Sequence, residues 1–552
     1  MAQRPILPLP RSITATHLTD FDQVHRFLTQ LLKSHDGAHT GSLDDLEACL
    51  RILRETKEIK LYQFTQCLSC LAELVNKGSF IDIISNHSKD KGKGKGKDSQ
   101  PKAILLCLRY MGAISANLDQ HVTGLVNSGR AARIENTAIL NIMFAYSRLG
   151  VIPPESMVGN LPNIVCTRLR QEQNNPALNK AFVSIMIATG HLNLAIPPSL
   201  IAYLCGNSFR KQDIHVFLSD SRQAPRMIYE IARLHNRLNG DPSDANAQKL
   251  ILLLEQLIDN PKTPTLLHTY EQQGDIKNTT MLLDAAAYLA FVTGKENNLE
   301  NFRLNANNQA SSLTERLIAG ALEKLDAQIL PVLTTKSGTS AIDFHVRFPY
   351  CDKTIALEFD GPAHFCFSYT PTGIVAHLDG KTIFQSTNIR YELTAAFHRA
   401  SGAPARQDLP RILVRLPITA IMDDQGRLDS DRLTTVMCNI FEYMQPMPAD
   451  APFETITIDT AGQIIPIHEP VARLPSLSPE SHQGGLRRSW LSTVLHSSSS
   501  GQGSPPRSTL AIPPLSGRTP ADETLLDRRG NPVRVIIRPQ RRGSGSTATW
   551  NL

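Results

Sequence analysis

From about Thr19 to about Leu330 apolar residues recur at helical spacing, and strand-like alternation is nearly absent. A stretch patterned in this way buries its apolar faces only by packing helix on helix. Ser42, followed three residues later by Asp45, reads as a capping box, after which Leu43, Leu46, Leu50 and Leu53 share one face. Ile139, Ile142, Met143, Tyr146 and Leu149 repeat the spacing, as do Leu178, Phe182, Ile185 and Met186. Four apolar helices read as closing on glycine, at Gly78, Gly112, Gly150 and Gly190. Glycine suits a helix end because it enters the left-handed conformation without strain. The intervals of 34, 38 and 40 residues predict a helix–turn–helix unit stacked into a solenoid. The alternative is an irregular all-helical domain, since Gly240 and Gly294 follow at longer intervals.

Near Leu330 the period changes. Ala341–Phe348 alternates like a strand, Thr354–Asp360 is a second one, and Pro349–Asp352 joins them as a hairpin. Ser386–Ala400 returns to helical spacing, Arg411–Pro417 is a third strand and Leu433–Met444 another helix. A last hairpin, Thr455–Asp459 with Gln463–Ile467, turns at Ala461-Gly462. At 552 residues the chain is too long for one core. The map is a flexible leader over 1–18, an α-helical repeat domain over 19–330, a small α/β domain over 331–472 and a tail over 473–552. The tail is rich in Ser, Pro and Arg and is expected to be disordered, with Val533–Ile537 as a short sticky segment. The run Lys89–Lys97 reads as a solvated loop between helical units.

Charge, cysteine and hydropathy narrow the function classes. Residues 20–330 hold 33 Lys+Arg against 31 Asp+Glu, and residues 331–425 hold nine of each, so the basic excess lies in the tail. A uniformly basic nucleic-acid surface does not follow from these totals. Nine cysteines, with Cys67 and Cys70 in an apolar helical run, read as buried thiols in a reducing, intracellular compartment. No apolar run is long enough to span a membrane. The leader, broken by three prolines, does not read as a secretory signal. Its lack of acidic residues before Asp20 leaves an organellar address open. Ser/Pro-rich ends also occur in bacterial proteins delivered into host cells.

The stretch with most chemistry is Ile355–Phe365. Strand alternation puts Glu358 and Asp360 on the same side, His364 follows on the turn, and Asp343 lies on the partner strand. Phe367 and Tyr369 are candidate stacking platforms for single-stranded bases, and Lys381 with Arg390 the candidate phosphate contacts. The purely structural reading has Glu358 ion-paired with Arg390 or Arg415, and His364 bonded to a carboxylate in the core.

Glu358-Phe-Asp-Gly-Pro-Ala-His-Phe365, followed by Gly380-Lys-Thr and the Asn388–Phe397 helix, resembles the RAP domain. That domain is named for RNA-binding proteins abundant in apicomplexans. It stands at the C-terminus of organellar RNA-processing factors, including octotricopeptide repeat proteins and the Fas-activated serine/threonine kinase family. The resemblance covers roughly residues 341–423, and the helical half upstream suits it. It implies single-stranded RNA held by helical repeats, with the α/β domain clamping or processing it. The RAP domain is itself similar to very-short-patch-repair endonucleases and the PD-(D/E)XK fold. That similarity would make Asp343 and Glu358 ligands of magnesium or manganese, Asp360 part of the acidic cluster and His364 a general acid or base. The sequence departs from the nuclease pattern at one place: the Glu-x-Lys element reads Glu358-Phe-Asp360, without its lysine. The expectation is therefore binding without cleavage and without a cofactor. A metal-dependent endonuclease is one alternative. A protein–protein adaptor, with its partner on the helical domain, is the other.

Overall fold

A computed structural model describes Leu18 and residues 21–467 apart from single positions and short breaks, the longer ones being 34–40, 82–98, 207–213, 239–243, 303–312, 401–408 and 422–428. Beyond 467 it describes only short strands. The leader, the lysine run Lys89–Lys97, Gly78, Gly240 and most of the tail lie outside the described residues. Two compact units emerge. One gathers Met1–Leu169, Asn175–Ala188 and Glu523–Val533; the other gathers Arg170–Asn174, Thr189–Asp522 and Arg534–Leu552. The change of periodicity near Leu330 thus falls inside the second unit.

The first unit is helical: α1 (Phe21–Lys33), α2 (Leu43–Glu55), α3 (Leu61–Asn76), α4 (Ser99–Asn127), α5 (Asn136–Leu149), α6 (Glu155–Gln171) and most of α7 (Pro176–His191). Ser42 caps α2 as expected, its N–H donating to Asp45 Oδ2 at 2.8 Å while Asp45 N–H donates to Ser42 Oγ at 3.0 Å. Leu46, Leu50 and Leu53 are fully buried, as are Ile139, Ile142, Met143 and Tyr146 on α5. Gly150 stops α5 in the left-handed conformation, φ 65°. Gly112 does not stop a helix. It lies inside α4, which runs on for four more turns to Asn127, while Gly190 sits within the last turn of α7. The near-constant glycine interval is therefore not an interval between helix ends. All nine cysteines are free thiols. Cys67 and Cys70 are buried on α3, and burial raises both.

The second unit continues with α8 (Pro198–Leu204), α9 (Ala224–Leu238), α10 (Ala245–Ile258), α11 (Lys262–Gln273), α12 (Ile276–Thr293) and α13 (Leu313–Lys324). A six-stranded mixed sheet follows, built from β1 (Gln328–Leu330), β2 (Phe344–Arg347), β3 (Thr354–Asp360), β4 (Ile412–Pro417), β5 (Glu454–Ile458) and β6 (Ile464–Ile467). β1, β2 and β3 form an antiparallel meander, β3, β4 and β5 run parallel, and β6 returns antiparallel. Gly462, at φ 78°, makes the final turn. Helix α14 (Gly380–Ala400) joins β3 to β4, and α15 (Ser430–Met444) joins β4 to β5. One face of the sheet packs Phe344, Val346, Leu357 and Val414 against α13 and α15. The other packs Ala356 and Leu413 against Ile389 of α14. Before α14 the chain makes a further hairpin, Phe365–Thr370 with Gly373–Leu378, which the sequence spacing did not reveal. Within the sticky segment Val533–Ile537, residues Val535–Ile537 run parallel beside the second strand of that hairpin. Among the described residues no helix is long and apolar enough to cross a membrane.

Candidate functional site

The site forms where β3 ends against the first turn of α14. Leu357 packs on the α13–α15 face and Ala356 on the α14 face, so alternation carries Glu358 and Asp360 to the α14 side. The β2–β3 ladder pairs Phe344 with Leu357 antiparallel, which sets Asp343 across from Glu358. Asp343 Oδ2 accepts from Phe359 N–H at 2.8 Å. Glu358 Oε1 is sealed from solvent and lacks a hydrogen-bond partner among the described residues. Burial, then the charge of Asp343, pushes the Glu358 carboxyl well above its ordinary value. Burial raises Asp343 too, against the Phe359 hydrogen bond. Two facing carboxyls in this setting resist carrying two charges at once, so Glu358 favours its neutral form.

Asp360 has a different fate. Arg415, from β4, donates through Nε to Asp360 Oδ2 at 2.9 Å and through Nη2 to Oδ1, both groups fully buried. Its Nη1 donates to Thr382 O in the first turn of α14 at 3.3 Å. Burial works to raise the Asp360 carboxyl, but Arg415 and His364 outweigh it and hold it below the ordinary value. His364 Nδ1 stands 3.2 Å from Asp360 Oδ1, with the side chain 41% exposed. The four groups lie within electrostatic reach of one another, but hydrogen bonding divides them: Asp343 faces Glu358, while Asp360 is bonded to Arg415 and His364. The alternative Glu358–Arg415 ion pair is replaced by Asp360–Arg415.

Phe367 and Tyr369 lie on the first strand of the hairpin, on the same side as Phe365, and all three are half-buried. Lys381 and Arg390 do not form a pair. The helix starts at Gly380, earlier than the spacing predicts, so nine residues of helix put their side chains about 180° apart. Lys381 is exposed in the first turn. Arg390 lies over the Tyr391 ring at 5.2 Å, and that ring stacks on Phe291 with centroids 4.2 Å apart. Lys353 donates to the carbonyls of Met444 and Gln445 at the end of α15 and is structural.

No family model, curated protein or solved structure matches the chain. Its chemistry is read from the site alone. Among the described residues no three His, Cys, Asp or Glu side chains are placed to hold a metal ion. Asp343 and Glu358 offer two facing carboxyls, of which Glu358 Oε1 is sealed from solvent and unpartnered. Arg415 as the partner of Asp360 was missed from the sequence. The signal was present, because an arginine inside Ile412-Leu-Val-Arg-Leu416 has to meet a buried counter-charge.

Proposed function

We propose that the chain binds single-stranded RNA and that its α/β region holds the strand rather than cutting it. The observation that carries this reading is the half-buried row Phe365, Phe367 and Tyr369 on the strand that follows His364, together with a basic group, Arg415, already consumed by Asp360. Successive bases stack on such rings whatever their sequence. Cleavage needs a cation free to meet the phosphate, and the residue at the lysine position, Asp360, instead neutralises the nearest one. The resemblance of Glu358–Phe365 to the RAP motif supports RNA as the ligand.

A metal-dependent nuclease is the second reading, favoured by the facing pair Asp343 and Glu358 with its unpartnered buried oxygen. There the two carboxylates would hold magnesium or manganese, and the metal when bound would polarise the phosphate. One set of measurements on the full chain separates the readings. Binding to a labelled single-stranded RNA is titrated at low and raised salt, and integrity of the strand is followed with each metal. Affinity that falls with salt, with no cleavage, is expected. Phe367→Ala with Tyr369→Ala should weaken binding by about 1–3 kcal/mol per lost stack. Cutting that Asp343→Asn and Glu358→Gln abolish would establish the nuclease. Absence of any RNA shift at low salt would leave the protein adaptor.

A further inference from the structure

A cleft of about 910 Å³ opens in the first unit between the C-terminal end of α2 and the second half of α4 with the turn after it. Four cations line it, Arg54 and Lys57 from one element and Arg130 and Arg133 from the other. The one carboxylate among the described lining residues, Glu55, is held by Arg54 at 2.9 Å. Among the described residues no carboxylate reaches ion-pair distance of Lys57, Arg130 or Arg133, and all three are exposed. Arg54 is braced against the Tyr110 ring at 5.1 Å, and Arg130 Nε donates to Ser128 Oγ at 2.9 Å, so two of the cations are pre-positioned. Between the cationic rims the wall is neutral and polar. Asn117 is anchored by donating to Arg54 O at 2.9 Å, Gln120 adds a second amide, and burial lowers His121, which favours its neutral form. A carbon at Cβ of Gly124 would meet nothing within 4 Å, so α4 leaves the cleft clear at its middle.

Positive charge on two rims with amides between them suits a polymer of spaced phosphates better than a single phosphorylated side chain, which would gather the cations at one point. Among the described lining residues only Ile59 and Leu125 are apolar, which argues against an apolar small-molecule pocket. We infer that this cleft seats the phosphodiester backbone of single-stranded RNA, with Lys57, Arg130 and Arg133 on phosphates and Asn117 and Gln120 on base edges or 2′-hydroxyls. The inference rests on the RNA reading above and places the strand on the helical unit.

The test is a fluorescence-anisotropy titration of the full chain with a mixed-sequence single-stranded RNA over a range of salt. The variants are Arg130→Glu with Arg133→Glu, and separately Lys57→Glu. All sit at exposed positions, and thermal melting checks that each remains folded. The double variant should bind roughly tenfold or more weakly, with a log–log salt slope shallower by about 1.4, since each phosphate lost from a single strand removes about 0.7. Lys57→Glu should make the slope shallower by about 0.7. Unchanged affinity and slope in folded variants, with wild type binding normally, would place the strand elsewhere and leave the RNA reading standing. Wild type that fails to bind RNA at low salt overturns both.

Discussion

At the residue scale, two neighbouring carboxyls on β3 carry opposite electrostatic assignments. Asp360 is ionised and paired with Arg415 in the interior, whereas Glu358 has an oxygen sealed from solvent beside Asp343 and favours its neutral form. Asp360→Asn leaves an uncompensated guanidinium in the core and should cost about 3–5 kcal/mol. Glu358→Gln keeps shape and removes a charge that burial already disfavours, so stability at neutral pH should be unchanged or raised. Urea unfolding of both variants reads the contrast directly, and a large loss in Glu358→Gln would mean that this carboxylate holds a structural cation. Asp360 is also held below its ordinary value, so its stabilisation is present at neutral pH and is lost as pH falls through the depressed value.

At the element scale, α14 is the helix that organises the site. Its first turn receives Arg415 at Thr382 O, and Asp379 Oδ1 accepts from Thr382 N–H at 2.6 Å to cap it. The turn is brought in close by a glycine. A Cβ on Gly380 would collide with Gly190 O at the end of α7 and lie 2.7 Å from Arg233 Nη2 of α9. Backbone cannot give way cheaply, so Gly380→Ala should lose about 1–3 kcal/mol in chemical denaturation. Gly124→Ala, in the open last turn of α4, should instead gain up to about 1 kcal/mol from helix propensity. Equal effects at the two glycines would refute the close approach.

At the scale of the whole molecule, acidic groups in the helical part of the second unit govern the response to pH. Burial pushes Glu230 up to about 7 against the pull of Arg233, Arg237 and Arg226. Burial likewise pushes Asp284 up to about 7, with Thr339, Lys381 and Gln385 opposing and Glu392 adding to the rise. Each contributes stability that is full below its unfolded value near 4 and is lost as pH rises through 7. The melting temperature of this unit should therefore fall from about pH 4 to about pH 7 and level off above, and Glu230→Gln and Asp284→Asn should each flatten the fall. A melting temperature that rises across that window would show these carboxyls to be ionised in the folded chain.

What the sequence determined by itself is what neighbours along the chain decide. The Ser42–Asp45 cap, the buried faces of α2 and α5, the β2–β3 hairpin that sets Asp343 near Glu358, and the turn at Gly462 all follow from backbone preference and spacing. Gly112 misled because glycine permits a helix end without requiring one, and packing carried α4 past it. Only the tertiary structure decided that Arg415, 55 residues on, takes Asp360 and leaves Glu358 without it. It also decided that α14 begins early enough to turn Lys381 and Arg390 apart, and that Lys57 and Arg133, far apart in the chain, line one cleft. A side chain's partner is set by which elements pack together, and that choice is made by the summed burial of many residues rather than by any short motif.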